Sequence, residues 1–169
     1  VDRSGDIFVD LLQRNCIGTT SSVAIRAEHF RRIGGFDETL PAMQDYELWI
    51  RIARRTRVAC DPAHTVNWTV HTTASNQMAG DPSIYKEAYR RITEKHAEAF
   101  RQLTRLERRR SRATHYASIA DKYARVGQIR QQYLYALHSL SAYPTLAGLS
   151  RLLPYWGWLK IRQITSRCE

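Results

Sequence analysis

In the first eighty positions, the spacing of hydrophobic and polar residues predicts short helices separated by turns and extended segments. Apolar residues recur at helical intervals in three stretches, of which the last is the most amphipathic, with Leu48 and Ile52 on one face. The predicted helices span residues 6–13, 27–33 and 44–55. Alternating or β-branched stretches predict short strands. The predicted strands span residues 22–26, 56–60 and 65–71.

After Pro82 the pattern becomes that of longer helices. Five bulky residues repeat at helical spacing behind the candidate caps Asp81 and Ser83: Tyr85, Tyr89, Ile92, His96 and Phe100. Residues 113–126 and 128–142 predict a pair of helices joined at Gly127. The charged run 105–112 fits a solvated helix face or a hinge. The second half of the chain is therefore predicted to be helical.

Composition places the chain among ordinary globular proteins. It has 169 residues, of which 43% are hydrophobic and 25% are charged, enough apolar surface for a core. The sequence contains no run of 18 apolar residues. The three cysteines, Cys16, Cys60 and Cys168, are far apart, which favours free thiols and a reducing, cytoplasmic setting. Because the chain begins without Met, we expect it to be part of a longer parent.

Charge divides the chain in two. Residues 1–80 hold nine basic and nine acidic side chains, whereas residues 81–169 hold seventeen basic and seven acidic ones, so the second half carries the whole net charge of +10. We therefore expect one domain over residues 1–80 and a basic helical extension over 81–169. The extension could attract an anionic membrane surface, and the tail 150–169 mixes aromatic and cationic residues, although ordinary packing also explains it. No recognised module predicts specific nucleic-acid binding.

The most informative block is residues 15–55. An Asn and a Ser-rich segment (NCIGTTSSVAIR) precede a helix, GGFDE, a loop and the helix DYELWIRIA. In this order the block resembles the second half of the catalytic domain of inverting, family 2-type glycosyltransferases, and the resemblance covers roughly residues 5–75. It implies an α/β fold, mainly α by content: a truncated GT-A-like lobe with a few short strands, followed by a C-terminal helical region.

The resemblance implies a general base at Asp45. In an inverting transfer, an acceptor hydroxyl attacks the anomeric carbon of a nucleotide-diphosphate sugar, and a carboxylate takes the hydroxyl proton. The second acid of the family's Glu-Asp pair has this role, and it corresponds to Asp45. The first acid is replaced by Gln44, which could still hydrogen-bond the acceptor. The alternative is that Asp45 serves only as a helix cap.

Other residues of the block acquire roles through the same resemblance. Gly34, Gly35, Phe36 and Asp37 correspond to a wall near donor and acceptor, although the glycines also fit a helix end and Asp37 fits a structural role. Trp49 could stack on the acceptor, with core packing as the alternative. Both interpretations of each residue remain open from the sequence alone.

The resemblance also implies a divalent metal. His71 occupies the position of a family histidine that meets the metal or diphosphate, but an Arg expected two positions earlier is Thr69. The family's nucleotide-binding half and its DxD motif are absent, so Mg²⁺ or Mn²⁺ would be held mainly by residues of the longer parent, and this chain alone would be inactive. The expected location is cytoplasmic, peripheral at the inner membrane face. The competing interpretation is a non-enzymatic helical adaptor or a membrane-docking module.

Overall fold

The structure is a computed structural model, and it describes residues 4–61, 63, 66 and 81–153. These residues are mainly helical, as the sequence predicts. The helices are α1 (Phe8–Gln13), α2 (Ala27–Ile33), α3 (Gln44–Ala53), α4 (Ser83–Lys95), α5 (Ala97–Gln102), α6 (Arg105–Arg125), α7 (Ile129–Ala142) and α8 (Leu146–Ser150), with a 3₁₀ turn at Thr20–Ser22.

Extended pairing within the described ranges is limited to an isolated antiparallel bridge between Gly5 and Val58. Among the described residues, the strand predicted at residues 22–26 does not form: its start is a 3₁₀ turn, and none of the described segments pairs with the extended Val23. The segment 56–60 contributes only the bridge, and most of 65–71 lies outside the described residues. The GT-A arrangement of strands therefore remains a prediction.

The described residues form two compact units, one ending at Leu103 and the other beginning at Thr104. This division does not coincide with the change in charge at residue 80. The reason is that Ile92 of α4, Phe100 of α5 and Leu103 directly after α5 belong to the hydrophobic core of the first unit. Basic composition marks a surface property, whereas the compact unit follows the buried apolar side chains.

The core of the first unit surrounds α3. Leu48 and Ile50 are fully buried and pack with Leu11 of α1. The Tyr46 hydroxyl donates to the Leu11 carbonyl oxygen at 2.5 Å. Burial raises the pKa of Tyr46, so this hydroxyl keeps its proton. The beginning of α3 is therefore held firmly against α1.

The loop between α2 and α3 uses three residues with left-handed backbones. Gly34 (φ 90°) and Gly35 (φ 68°) end α2, as predicted, and both lack the Cβ that disfavours this conformation. Met43 (φ 63°) directly precedes α3 and is the non-glycine residue with positive φ in the described chain. A left-handed non-glycine residue costs about 1–2 kcal/mol, so surrounding contacts must hold this turn.

The apolar pattern predicted through residues 85–100 is interrupted at His96. There the backbone leaves helical geometry (φ −107°, ψ 24°), and α5 begins at the next residue. At the other end of α4, the N-cap position belongs to Pro82 and not to either predicted cap, but the Asp81 carboxylate one residue earlier accepts the Ser83 backbone N–H at 2.8 Å. The bend places His96 in the interior, where it is 7% exposed.

The second unit is built on the predicted hairpin of α6 and α7, with Gly127 (φ 72°) in its turn. Small residues on α6 and α7 allow close packing, and the Ser139 hydroxyl donates to the Ala113 carbonyl oxygen at 2.8 Å. The charged run 105–112 is the start of α6, which Thr104 and Glu107 open with a reciprocal capping box. No helix in the described ranges is long and apolar enough to cross a membrane.

Candidate functional site

Asp45 is the second residue of α3 and lies two positions after the left-handed Met43. Its side chain is partly exposed, and Oδ1 accepts the backbone N–H of Tyr46 at 2.7 Å. The N-cap position itself belongs to Met43, whose side chain makes no capping hydrogen bond. No cationic side chain in the described ranges forms a salt bridge with Asp45. The helix start thus orients the carboxylate, and none of the described cations pairs with it.

The neighbouring Gln44 is tied back to the preceding loop. Its side-chain amide Nε2 donates to the Leu40 carbonyl oxygen at 2.8 Å. This bond uses the amide donor group and leaves the side-chain oxygen for a further hydrogen bond. Gln44 therefore stabilises the turn that presents Asp45, and its role toward an acceptor stays a prediction.

The predicted wall, residues 34–37, forms the turn that follows α2. Phe36 is 42% exposed, and its ring meets the ring of Phe30 edge to face at a centroid distance of 5.7 Å. A Cβ on Gly35 would lie 3.5 Å from the Phe30 ring, an ordinary contact, so the requirement for glycine there comes from its positive φ. The turn thus exposes an aromatic face that is braced from behind.

Asp37 is partly exposed, and its carboxylate is engaged by two side chains. Its Oδ2 lies 2.5 Å from Lys95 Nζ, and its Oδ1 accepts the Thr39 hydroxyl at 2.6 Å. The hydrogen bond from Lys95, followed by that from Thr39, lowers the pKa of Asp37 to about 2. These contacts give Asp37 a structural function in joining the turn to α4.

A charged network that the sequence analysis did not identify lies next to this turn. Glu47 is fully buried, and its carboxylate meets three donors. Arg51 Nε donates to both oxygens at 2.8–2.9 Å, Lys95 Nζ lies 2.9 Å from Oε1, and His96 Nε2 lies 3.0 Å from Oε1. Glu47 therefore joins one turn of α3 to the end of α4. We call these residues, together with Asp37, the Glu47 network.

Arg51 extends the network to the α2–α3 turn. Its two terminal nitrogens donate to the carbonyl oxygens of Ile33 at 2.7 Å and Gly35 at 2.6 Å. These carbonyls flank the left-handed Gly34, where the helix can no longer satisfy them. Arg51 is therefore a positioning residue for the α2–α3 turn. It also places a positive charge in the last turn of α3, where the helix dipole favours one.

Burial alone would raise the pKa of Glu47. Hydrogen bonds from His96, Arg51 and Lys95 outweigh this effect and lower the pKa to about 2. The carboxylate therefore stays ionised, and its charge is balanced by the cations around it. A buried carboxylate with these partners is suited to holding a structure, not to accepting a proton from a substrate.

We expect the first unit to lose stability as the pH falls from about 4.5 to about 2. The pKa values of Glu47 and Asp37 are both depressed in the folded state, from ordinary values of 4.5 and 3.8. Their contribution is complete above the unfolded values and is lost as the pH falls through the folded ones. Urea denaturation at constant ionic strength across this range measures the effect. Glu47→Gln should flatten the profile, and an unchanged profile would contradict the assignment.

Two further predicted site residues are placed differently. Trp49 is 2% exposed, and its indole Nε1 donates to the Gly18 carbonyl oxygen at 3.3 Å. Its side chain therefore packs in the core, as the alternative interpretation of this residue expects. His71 lies outside the described residues. Within the described ranges, no group of three His, Cys, Asp or Glu side chains could hold a metal ion.

Two signals in the sequence could have revealed the Glu47 network. Glu47 lies three residues before Ile50, so the two share a helix face, and an acid on an apolar face needs partners. Arg51 follows four residues later, the spacing of a helical ion pair. The contacts of Lys95 and His96 with Glu47 could not be predicted from helical spacing, because these residues are almost fifty positions away in the chain.

Comparison with known proteins bears directly on this site. The family model described as "Glycosyltransferase like family 2" matches residues 4–134, which include α3, the turn before it and most of the second unit's hairpin. The match extends well beyond the residues 5–75 expected from the sequence motifs. Neither a curated protein nor a solved structure matches the chain. Because the family model covers more than half of the sequence, the chain belongs to glycosyltransferase-like family 2.

Proposed function

We propose that this chain forms the acceptor side of an inverting glycosyltransferase in which Asp45 is the general base. Family membership supports sugar transfer. The single observation that carries the assignment of the base is the environment of Asp45. Its neighbours Asp37 and Glu47 are held by Lys95 and Arg51, whereas Asp45 is partly exposed and forms no ion pair with the described residues.

The proposed reaction moves a sugar from a nucleotide-diphosphate sugar to a hydroxyl acceptor. The hydroxyl oxygen forms a bond to the anomeric carbon from the face opposite the nucleotide. The bond from that carbon to the diphosphate breaks, and the diphosphate leaves with its electron pair. The hydroxyl proton passes to the Asp45 carboxylate, which must come within about 2.6–3.2 Å of the attacking oxygen. The local turn supports this role, since strained backbone of the kind seen at Met43 concentrates at functional sites.

The remaining parts of the site belong, in this proposal, to a longer parent chain. The sequence contains no DxD motif. The nucleotide-sugar and a Mg²⁺ or Mn²⁺ ion would therefore be bound mainly by residues outside residues 1–169, and the chain alone would be inactive. Gln44 and Phe36 would face the acceptor. The product would be a surface polysaccharide of the cell envelope, made on the cytoplasmic side of the membrane.

The non-enzymatic adaptor interpretation makes a different prediction for Asp45. If the first unit only supported a helical extension, Asp45 would be expected in a buried salt bridge. No described residue forms such a salt bridge with Asp45. The buried acid that pairs with Arg51 and Lys95 is Glu47. The geometry therefore favours the enzymatic proposal.

The stereochemistry of the product tests the proposed reaction. We expect the full-length parent, offered a panel of nucleotide-diphosphate sugars and hydroxyl acceptors, to release nucleotide diphosphate and to invert the anomeric configuration. Proton NMR of the new linkage measures this directly. A product with retained configuration would overturn the assignment of a single general base. Transfer catalysed by residues 1–169 alone would contradict the proposed location of the donor site.

A further inference from the structure

The second unit carries an arginine-lined groove that the proposed transfer reaction does not use. Four arginines lie on one face of α6, three and four residues apart, and residues of α7 complete the opposite wall. The groove is lined by Arg105, Arg108, Arg109, Arg112, Tyr116, His138, Ser141 and Ala142. We call it the arginine groove, and it lies entirely within the second compact unit.

The arginine groove concentrates positive charge that is not paired with any of the described carboxylates. All four arginines are exposed, and no salt bridge joins them to a carboxylate within the described ranges. The nearby Glu107 is engaged by the Thr104 cap. Like charges three or four residues apart destabilise a helix. The arrangement is therefore maintained against its own repulsion, which an anionic ligand would relieve.

The geometry of the groove also limits what the ligand can be. Arg109 Nε donates to the Ala142 carbonyl oxygen at 2.7 Å, which ties α6 to the end of α7 and fixes one guanidinium in the wall. Tyr116 and His138 form an aromatic pair with centroids 5.5 Å apart in the same groove. A stripe spanning two helical turns is about 10 Å long, which suits one or two linked anions better than a single carboxylate.

We propose that the arginine groove binds a phosphate or diphosphate group. Guanidinium groups present planar pairs of N–H donors that match phosphate oxygens, and the higher charge of phosphate balances more than one arginine. Arg108 and Arg112, one turn apart, bind the phosphate oxygens, while Arg109 remains part of the wall. The phosphate belongs either to a soluble diphosphate or to an anionic lipid headgroup, and the same residues recognise both.

Two binding measurements on the full 169-residue chain distinguish these sources. Calorimetric titration with inorganic pyrophosphate reports a soluble ligand. Cosedimentation with phosphatidylglycerol vesicles, compared with phosphatidylcholine vesicles, reports a lipid headgroup. We expect the double variant Arg108→Gln/Arg112→Gln to weaken the binding by about tenfold or more. The matched control, Arg125→Gln/Arg130→Gln, removes the same charge from exposed positions outside the groove and should retain binding.

Each outcome decides the proposal. Loss of pyrophosphate binding in the groove variant alone supports a soluble diphosphate, and selective loss of vesicle binding supports a lipid phosphate. Equal loss in both double variants would mean that only net charge matters, which overturns the proposal. Absence of binding to both probes in the unaltered chain would overturn it as well. If neither probe binds but a single-stranded oligonucleotide, titrated as a third probe, does bind, the proposal is overturned in favour of a nucleic-acid surface. Circular dichroism verifies that both variants remain helical.

Discussion

Asp45→Asn in the full-length parent is expected to lower kcat by about 10²–10⁴-fold, the usual contribution of a general base. The amide has the same shape as the carboxylate and can still accept the Tyr46 N–H, so the start of α3 should be preserved. It cannot take the proton of the attacking hydroxyl. Because the acceptor is still bound in the same place, KM should change much less than kcat.

The matched control is Asp6→Asn in the same parent. Asp6 also accepts a backbone N–H at the start of a helix, that of Phe8 at 3.0 Å, but it lies outside the proposed site. A similar drop in kcat in this variant would show that the effect is structural. Near-normal transfer by a folded Asp45→Asn enzyme would refute the base assignment.

A second carboxylate needs its own variant. Glu38 is exposed in the turn after α2 and forms no salt bridge within the described ranges. We expect Glu38→Gln to retain activity, because the structure gives Glu38 no backbone hydrogen bond of the kind that orients Asp45. Loss of kcat in Glu38→Gln with normal activity in Asp45→Asn would transfer the role to Glu38.

The features of the fold that the sequence predicts well are those set by nearby residues. The periodicity of residues 27–33 and the glycines after them predict α2 and its end, and Gly34 and Gly35 adopt the left-handed conformation expected there. The hairpin of α6 and α7 is predicted for the same reason, since helical spacing and Gly127 are both local signals. Long-range contacts do not have to be known for either element.

The features that were missed depend on partners far away in the chain. Residues 22–26 alternate like a strand, but a strand requires a neighbouring strand, which local pattern cannot supply. His96 fits the apolar repeat of α4, yet it ends the helix and turns toward Glu47, forty-nine positions earlier. The extent of the first compact unit also depends on long-range contacts, because the core that α5 joins is made by α1 and α3.

The same distinction applies to the candidate site. The residues of the motif around Asp45 are neighbours in the sequence, so the resemblance to the family located Asp45. The structure adds the orientation and the partial exposure of its side chain. The Glu47 network is assembled from three separate segments and emerges only when the chain is folded. The residues that hold the α2–α3 turn are therefore the part of the site that sequence motifs leave out.

Glu47→Gln is expected to destabilise the first unit by about 3 kcal/mol. Removing one partner of a buried ion pair costs about 3–5 kcal/mol, because the remaining charges lose their compensation. The lower end applies here, since the Lys95 side chain is 39% exposed and can turn toward water, whereas Arg51, at 19%, cannot do so as readily. Urea denaturation measures the loss, and hydrogen exchange of the α3 amides assigns it to the first unit.

The control for this prediction is Glu94→Gln on the exposed face of α4. Glu94 pairs with Arg90 at 2.6 Å, but both side chains are more than half exposed, so water replaces the lost contact at little cost. An equally small effect in Glu47→Gln would contradict the network's role. In a Lys95→Met background, where one of the uncompensated cations is absent, Glu47→Gln should cost less than it does alone. Additive losses would show that the Glu47–Lys95 contact carries no energy, and the turn before Asp45 would then have to be held by Arg51 without it.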